Sequence, residues 1–322
     1  MRGVKTLLEL TLTEFGRKSN VYDEEYVMPK VVIVHSRQRA SQRIVDYQEV
    51  KHMFRKGFTL LTGQSRSRTS IASLLSQRGR IGIKVNSIGG RKISTQPETS
   101  LALAKVLAED GIGEENLIIW DRTNRELREA GYTLNLNGSG IKVFGTDTHG
   151  MGYSSELFAH LNIGSLFSSI QSDYIAESIS LAILKDHGLA GVTAGMKNYF
   201  GTIHNPNKYH DNHCDPFVAE LFDSSMIKRK HKMTILDALT VQYHRGPSYH
   251  AEWAENYGAL IFSQDPVAAD FVGWQIIEKL RAEKGLPSLN EEKREPIYLH
   301  TADQMGLGSA DIKKIQIIEV EA

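Results

Sequence analysis

The sequence predicts an α/β fold: a mostly parallel sheet covered by helices on both faces, with an internal elaboration. Short β-branched runs alternate with stretches of helical periodicity along the chain, as in KVVIVH at 30–35, RIGIKVN at 80–86 and NLIIWD at 116–121. Successive strands separated by helices call for crossover connections, which join parallel neighbours. No linker, low-complexity run or internal repeat divides the 322 residues. Residues 1–29 therefore read as an N-terminal segment and 30–322 as one continuous domain, long enough to bury a large core.

Each element has its own justification. The run at 30–35 is a strand, and apolar residues then recur at helical spacing over 46–61. A second strand covers 80–86. After Gly89-Gly90, the segment Ser94-Thr95-Gln96-Pro97-Glu98 has the marks of a helix start: a hydroxyl cap, Pro in the first turn and an acid near the positive end. That helix runs to Gly111, a residue suited to stop it. A strand at 116–121, a short helix at 124–131 and a strand at 141–147 follow. Over 158–184 both strand and helix stay open, above all in DYIAESISLAIL at 173–184. The Gly-rich run beyond it predicts a helix over 192–200, and another is expected at 216–222. Strands are expected at 232–238 and 258–263. Asp265 caps and Pro266 opens a long amphipathic helix reaching 284. A short helix at 298–305 stops at Gly306-Leu-Gly308, and 314–320 closes as a strand.

Composition excludes several function classes. Lys plus Arg equals Asp plus Glu, 38 each, so the net field favours neither nucleic acid nor an anionic membrane. Local basic runs exist at Arg37, Arg39 and Arg43 and at Arg66 and Arg68. Without interleaved aromatics they read as a solvated face or a small-anion contact rather than a polynucleotide grip. The single cysteine, Cys214, allows no internal disulfide and no iron–sulfur cluster held by this chain alone. No apolar run approaches a membrane span, and the first residues lack a signal-peptide pattern. The cytoplasm is the default compartment, with an exported location open if a signal has been removed.

Chemistry concentrates in one region. The run KDHGLAGVTAGMKN at 185–198 is followed by His204, His210 and His213, and seven of the twelve histidines fall between 187 and 250. Glycines let backbone amides approach a ligand, lysines supply charge or a nucleophilic amine, and imidazoles supply metal ligands or proton carriers. In parallel α/β sheets ligands sit beyond the carboxyl ends of strands. The residues closing the expected strands are Lys84 and Asn86, Asp121, Asp147, His187, Asp237 and Asp265. No Walker loop, dinucleotide fingerprint or nucleophile elbow is present. The loop GTDTHGMG at 145–152 follows a strand, with His149 in it. His204, His210 and His213 have no spacing that specifies a metal, although imidazole-rich sites suit nickel, zinc, copper or iron.

These residues resemble a known family. The motifs IKVN at 83–86, STQPE at 94–98, KDHGLAGVTAGMKN at 185–198, DPVAAD at 265–270 and GLG at 306–308 are similar to those of the DUF362 family, a domain of unknown function. The likeness spans residue 30 to the C-terminus. Many relatives carry a ferredoxin-type cysteine motif or a twin-arginine signal, and this sequence has neither. The stretch from His187 to Lys197 also resembles, more remotely, the lactate racemase family with its nickel pincer nucleotide. That likeness implies Lys197 as the cofactor tether, His187 as an acid/base, His213 as a metal ligand and His149 as a stand-in for a second catalytic histidine.

The sequence thus leads to a metal-dependent enzyme acting on a small polar or anionic substrate. His187 and Lys197 are the expected catalytic residues. Lys84, Asn86, Lys185, Asn198 and Asp121 are the expected substrate contacts, with His210 and His213 holding a divalent transition metal of unspecified identity. The alternative is a non-catalytic binding protein for a small anion or metal ion using the same residues. A structural or interaction protein ranks third.

Overall fold

The computed structural model describes residues 27–38, 46–76 and 78–322. The expected N-terminal segment up to residue 26, and Arg39 and Arg43 of the first basic run, lie outside the described residues. Twelve strands are present among them: β1 (Lys30–His35), β2 (Ile81–Val85), β3 (Leu117–Asp121), β4 (Lys142–Gly145), β5 (Phe158–His160), β6 (Ile163–Ser165), β7 (Glu177–His187), β8 (Gly191–Thr193), β9 (His231–Gln242), β10 (Ala254–Glu255), β11 (Ala259–Ser263) and β12 (Gln316–Glu321). Ten of them form one sheet in the order β12-β1-β11-β9-β7-β2-β3-β4, with β8 beside β7 and β10 beside β9. The pairs β12–β1, β9–β7, β7–β2, β2–β3 and β3–β4 are parallel, and β11 runs antiparallel to both its neighbours.

Helices cover both faces, as the alternation of elements predicts. On one face lie α1 (Tyr47–Thr62), α2 (Ser67–Leu74) and α3 (Pro97–Glu109), packed through Phe54, Phe58, Ile71 and Leu103 onto Val32, Ile83, Leu181 and Ile235 of the sheet. A short helix, α4 (Asn124–Glu129), follows β3. The other face carries α5 (Phe217–Asp223), α7 (Pro266–Glu283) and α8 (Tyr298–Gln304), with the four-residue α6 (Ser225–Lys228) after α5. Val218, Phe271, Ile277 and Leu299 meet Ile33, Leu184, Leu236 and Ile261 there. Alternate residues of one strand feed the two cores, since side chains of a strand point to opposite faces. Each such apolar side chain contributes ~1.5–3 kcal/mol on burial.

Local chemistry explains where the elements begin. Asp46 accepts from the Gln48 and Glu49 amides at the head of α1, and Asp265 accepts from Ala268 with Pro266 in the first turn of α7. The expected hydroxyl cap of α3 is corrected. Its N-cap is Gln96, without a side-chain bond, because Thr95 Oγ1 accepts from the Asn86 amide and donates to Leu181 O while Ser94 Oγ donates to Gly90 O. Those hydroxyls lash the β2–α3 segment to the sheet instead.

The expected helix over 192–200 is also corrected. Gly191, at φ 74°, turns the chain back so that β8 pairs antiparallel with the end of β7, setting Thr193 opposite Lys185 and Gly191 opposite His187. A short 3-10 turn at Lys197–Thr202 follows. The open stretch before it resolves into the small hairpin β5–β6 and the eleven-residue strand β7 at the centre of the sheet. Helix α2, which includes Arg68 with Arg66 as its N-cap, lies where no helix is expected from the sequence. Arg37, Arg66 and Arg68 are exposed, in keeping with a solvated face. No helix among the described residues is long and apolar enough to cross a membrane.

Candidate functional site

The carboxyl ends of β2, β3 and β7 meet the turns at 197–202 and 206–209 around a cavity of about 260 Å³. Eight of the residues singled out from the sequence line it: Lys84, Asn86, Asp121, Lys185, His187, Lys197, Asn198 and His210. Arg122, Glu126, Thr193, Phe200, Gly201 and Pro247 complete most of the wall. Its position beyond the ends of parallel strands is the one the fold favours for ligands.

At the floor, Lys84 and Asp121 form a buried ion pair, Nζ to Oδ1 at 2.5 Å. Lys84 Nζ also donates to Val85 O at 2.8 Å and Asn198 Oδ1 at 3.2 Å, so three acceptors saturate its three protons. Burial would raise the Asp121 carboxyl, but Lys84 beside it and the donating Ser87 hydroxyl hold it below the ordinary value. Asn198 Nδ2 donates to Lys84 O and Ser180 Oγ. Gly201 lies directly over the pair: a Cβ there would stand 2.8 Å from Lys84 Nζ and 3.0 Å from Asp121 Oδ1.

Lys185 is buried and donates to Ile88 O at 2.7 Å and Ile93 O at 3.0 Å, bracing the β2–α3 segment. Burial, with the Lys197 charge adding to it, pushes its ammonium down to about 7. Lys197 is pushed down to about 8 by burial. Its Nζ lies 3.2 Å from His210 Nε2 and 4.8 Å from the centre of the Phe200 ring.

Hydrogen bonds settle the state of both imidazoles. His187 Nδ1 receives the Leu189 and Ala190 amides at 3.2 and 3.1 Å, so it bears the lone pair and the ring proton sits on Nε2. Burial, then the Lys197 charge, drives His187 down to about 2, so it is neutral. His210 Nδ1 donates to Pro206 O at 3.0 Å, which leaves Nε2 as the acceptor facing Lys197. Burial and the Lys197 charge lower His210 as well. The two rings are 5.7 Å apart, centre to centre. One cavity therefore holds an imidazole that donates, an imidazole that accepts and an amine hydrogen-bonded to the acceptor.

Other expected residues fall elsewhere. His213 does not line the cavity; Asn212, His213 and Cys214 all adopt positive φ, and the half-buried His213 ring meets Leu189 O at 3.0 Å. His210 lines the cavity and His213 does not, and no group of three or more His, Cys, Asp or Glu able to hold a metal occurs among the described residues. A metal on His187 Nε2 would need the proton on Nδ1, where two amide N–H groups already point. The described residues thus offer no such group for the expected divalent metal, and His213, the metal ligand that the nickel-pincer resemblance implies, lies outside the cavity. His149 and Asp147 are exposed, the latter accepting from the Asn124 amide. Asp237 lines a different cavity, and Asp265 lies at the opposite sheet end because β11 is antiparallel.

Several participants were not legible in the sequence. Asp186 Oδ1 pairs with Arg294 at 2.9 Å and its Oδ2 accepts the Gly246 amide at 2.7 Å, while Arg294 NH1 donates to His187 O. That network fixes the end of β7 and the loop carrying Pro247. Asp270, pushed up to about 7 by burial, accepts the Gly195 and Met196 amides just before Lys197. Arg122 and Glu126 pair at 2.6 Å on the cavity wall. Asp186 sits inside the Gly-rich motif and Arg122 beside a strand-end Asp, but their partners are far away in sequence.

Comparison with known proteins completes the description. A crystal structure of a Thermotoga maritima protein, a structural-genomics target, is similar with 9% identity and a TM-score of 0.41, over 76% of this chain and 60% of that one. The chain thus spans about three-fifths of that protein's length. No curated protein matches. The family model described as "Domain of unknown function (DUF362)" matches residues 81–275, which run from β2 through most of α7 and include every residue placed in the cavity, and by this match the chain belongs to the DUF362 family.

Proposed function

We propose that this cavity is the active site of an enzyme that moves a proton on a small anionic substrate. Lys197 and His210 form the acid–base couple, and the Nε2–H of His187 donates a hydrogen bond to a substrate oxygen. The observation that carries the reading is the Lys197 Nζ to His210 Nε2 contact of 3.2 Å inside a cavity that also holds a neutral donating imidazole. A general acid or base needs such reach and an affinity for protons near the working pH. Lys185 and Lys197 set a positive field that favours an anion, since Lys84 with Asp121 and Arg122 with Glu126 neutralise each other.

The test is wash-in of deuterium from D2O into a panel of small 2-hydroxy and 2-oxo carboxylates, followed by proton NMR. Exchange at C2 of a 2-hydroxy acid, or at C3 of a 2-oxo acid, is expected above the enzyme-free rate, falling ~100-fold or more in Lys197→Arg and His210→Ala, the usual scale for a lost acid–base group. Binding to the cavity by isothermal titration without exchange of any panel member would make this a binding protein. The couple works through protein groups alone, so a stoichiometric transition metal found by elemental analysis of the purified protein would also overturn the reading.

A further inference from the structure

The three lysines of the cavity differ in what holds them. Lys84 Nζ has three acceptors, and Lys185 Nζ has two carbonyls of the β2–α3 segment. Lys197 Nζ has His210 Nε2, an acceptor that can take a proton from it, and the face of Phe200. Pro206 O orients that imidazole from behind. An amine bonded to a base, with the base oriented by a third group, is the arrangement of an activated nucleophile. His187, in the lining of the same cavity, carries its ring proton on Nε2 and is the neutral donor there that can serve a developing oxyanion.

We propose that Lys197 is a condensing amine that forms a Schiff base with small carbonyl compounds bearing an anionic group, such as 2-oxo acids. This rests on the proton-transfer reading of the same cavity and names its substrate class. His210 Nε2 takes one proton from the Lys197 ammonium, and the freed Nζ pair attacks the carbonyl carbon. A C–N bond forms, and the carbonyl π pair moves to oxygen beside His187 Nε2–H. A proton passes from nitrogen to that oxygen, giving a carbinolamine. The imidazolium of His210 then protonates the hydroxyl, the C–O bond breaks, water leaves and the nitrogen pair closes the iminium. Overall, ammonium plus carbonyl yields iminium plus water, with no change in oxidation state. The iminium draws electrons from the neighbouring carbon and acidifies its C–H, and His210, neutral again once water has left, is the base that would then take that proton.

The experiment incubates the full chain with pyruvate, glyoxylate or formaldehyde, reduces with sodium borohydride, and maps the alkylated lysine by peptide mass spectrometry. Lys197 is expected to be labelled well before any surface lysine. His210→Ala should slow that labelling ~100-fold, the scale of a lost general base, while His213→Ala, outside the cavity, leaves it unchanged. Lys197→Arg should abolish the adduct with circular dichroism unaltered, and Lys197→Gln serves if the arginine does not fold. No Lys197 adduct with any of the three probes, or labelling no faster than at surface lysines, overturns the proposal. An adduct on Lys185 instead overturns the residue assignment. Deuterium wash-in without a trapped adduct leaves the proton-transfer reading standing and removes only the Schiff base, whereas loss of both removes both.

Discussion

At the scale of single residues, the site is built by what each polar atom is already doing. Lys84 reads from the sequence as a substrate contact, yet its three protons are taken by Val85, Asp121 and Asn198, so its part is to hold the floor of the cavity. Gly201 is the residue whose lack of a side chain permits this. Gly201→Ala should push apart a buried ion pair and cost about 1–3 kcal/mol, as overpacking does; urea unfolding would check it, and an unchanged midpoint would show that the turn simply shifts. Asp237 offers a separate test. Burial raises its carboxyl from an ordinary value near 3.8 to about 6. The folded state then binds this proton more tightly than the unfolded one, so the contribution of Asp237 to stability is full below pH 4 and is lost as pH rises through 6, by ~3 kcal/mol at most for such a shift. Asp237→Asn should remove this slope. Urea midpoints for both proteins across pH 4–7 would reveal it, and parallel curves would mean the carboxyl is better compensated than its burial implies.

At the scale of elements, the Gly-rich run shows how a short sequence acquires a shape that periodicity does not announce. The sequence leads from this run into an expected helix over 192–200, but the turn at Gly191 and pairing with β7 make a hairpin, and Asp270 of α7 draws in the amides of Gly195 and Met196. The result delivers Lys197 to the cavity rather than to a helix face. Asp270→Ala would leave those two buried N–H groups without an acceptor, at about 1–3 kcal/mol each. A thermal shift of several degrees, with lower probe labelling of Lys197, is the expected outcome; intact labelling would show that the hairpin alone positions the amine. The strand-end rule located much of the site because β2, β3 and β7 are parallel neighbours. It misplaced Asp265 because β11 runs the other way, and orientation depends on pairing that no local pattern encodes.

At the scale of the whole molecule, β7 is the axis. It is fully buried, lies at the centre of the sheet with both faces covered, and carries Lys185, Asp186 and His187 at its end. Amides over 179–184 should exchange with solvent only through global unfolding, while those of the outer strand β12, whose side chains are mostly exposed, should exchange faster. Hydrogen-exchange mass spectrometry would test this, and equal protection of the two strands would contradict a β7-centred core. A rigid axis suits a site whose donors and acceptors must hold position between substrate and transition state.

Read alone, the chain determined the α/β class, the covered faces, most element positions and eight residues that share the cavity. Composition, periodicity and a dense motif are local properties and survive without coordinates. What only the tertiary structure decided is which residues act together. His210 joins Lys197 across thirteen positions, while His213, three residues further on, turns away because its backbone is left-handed. Lys185 becomes a brace through carbonyls more than ninety positions away. Such roles depend on long-range hydrogen bonds, and a side chain's free valences are known only after its partners in space have been counted.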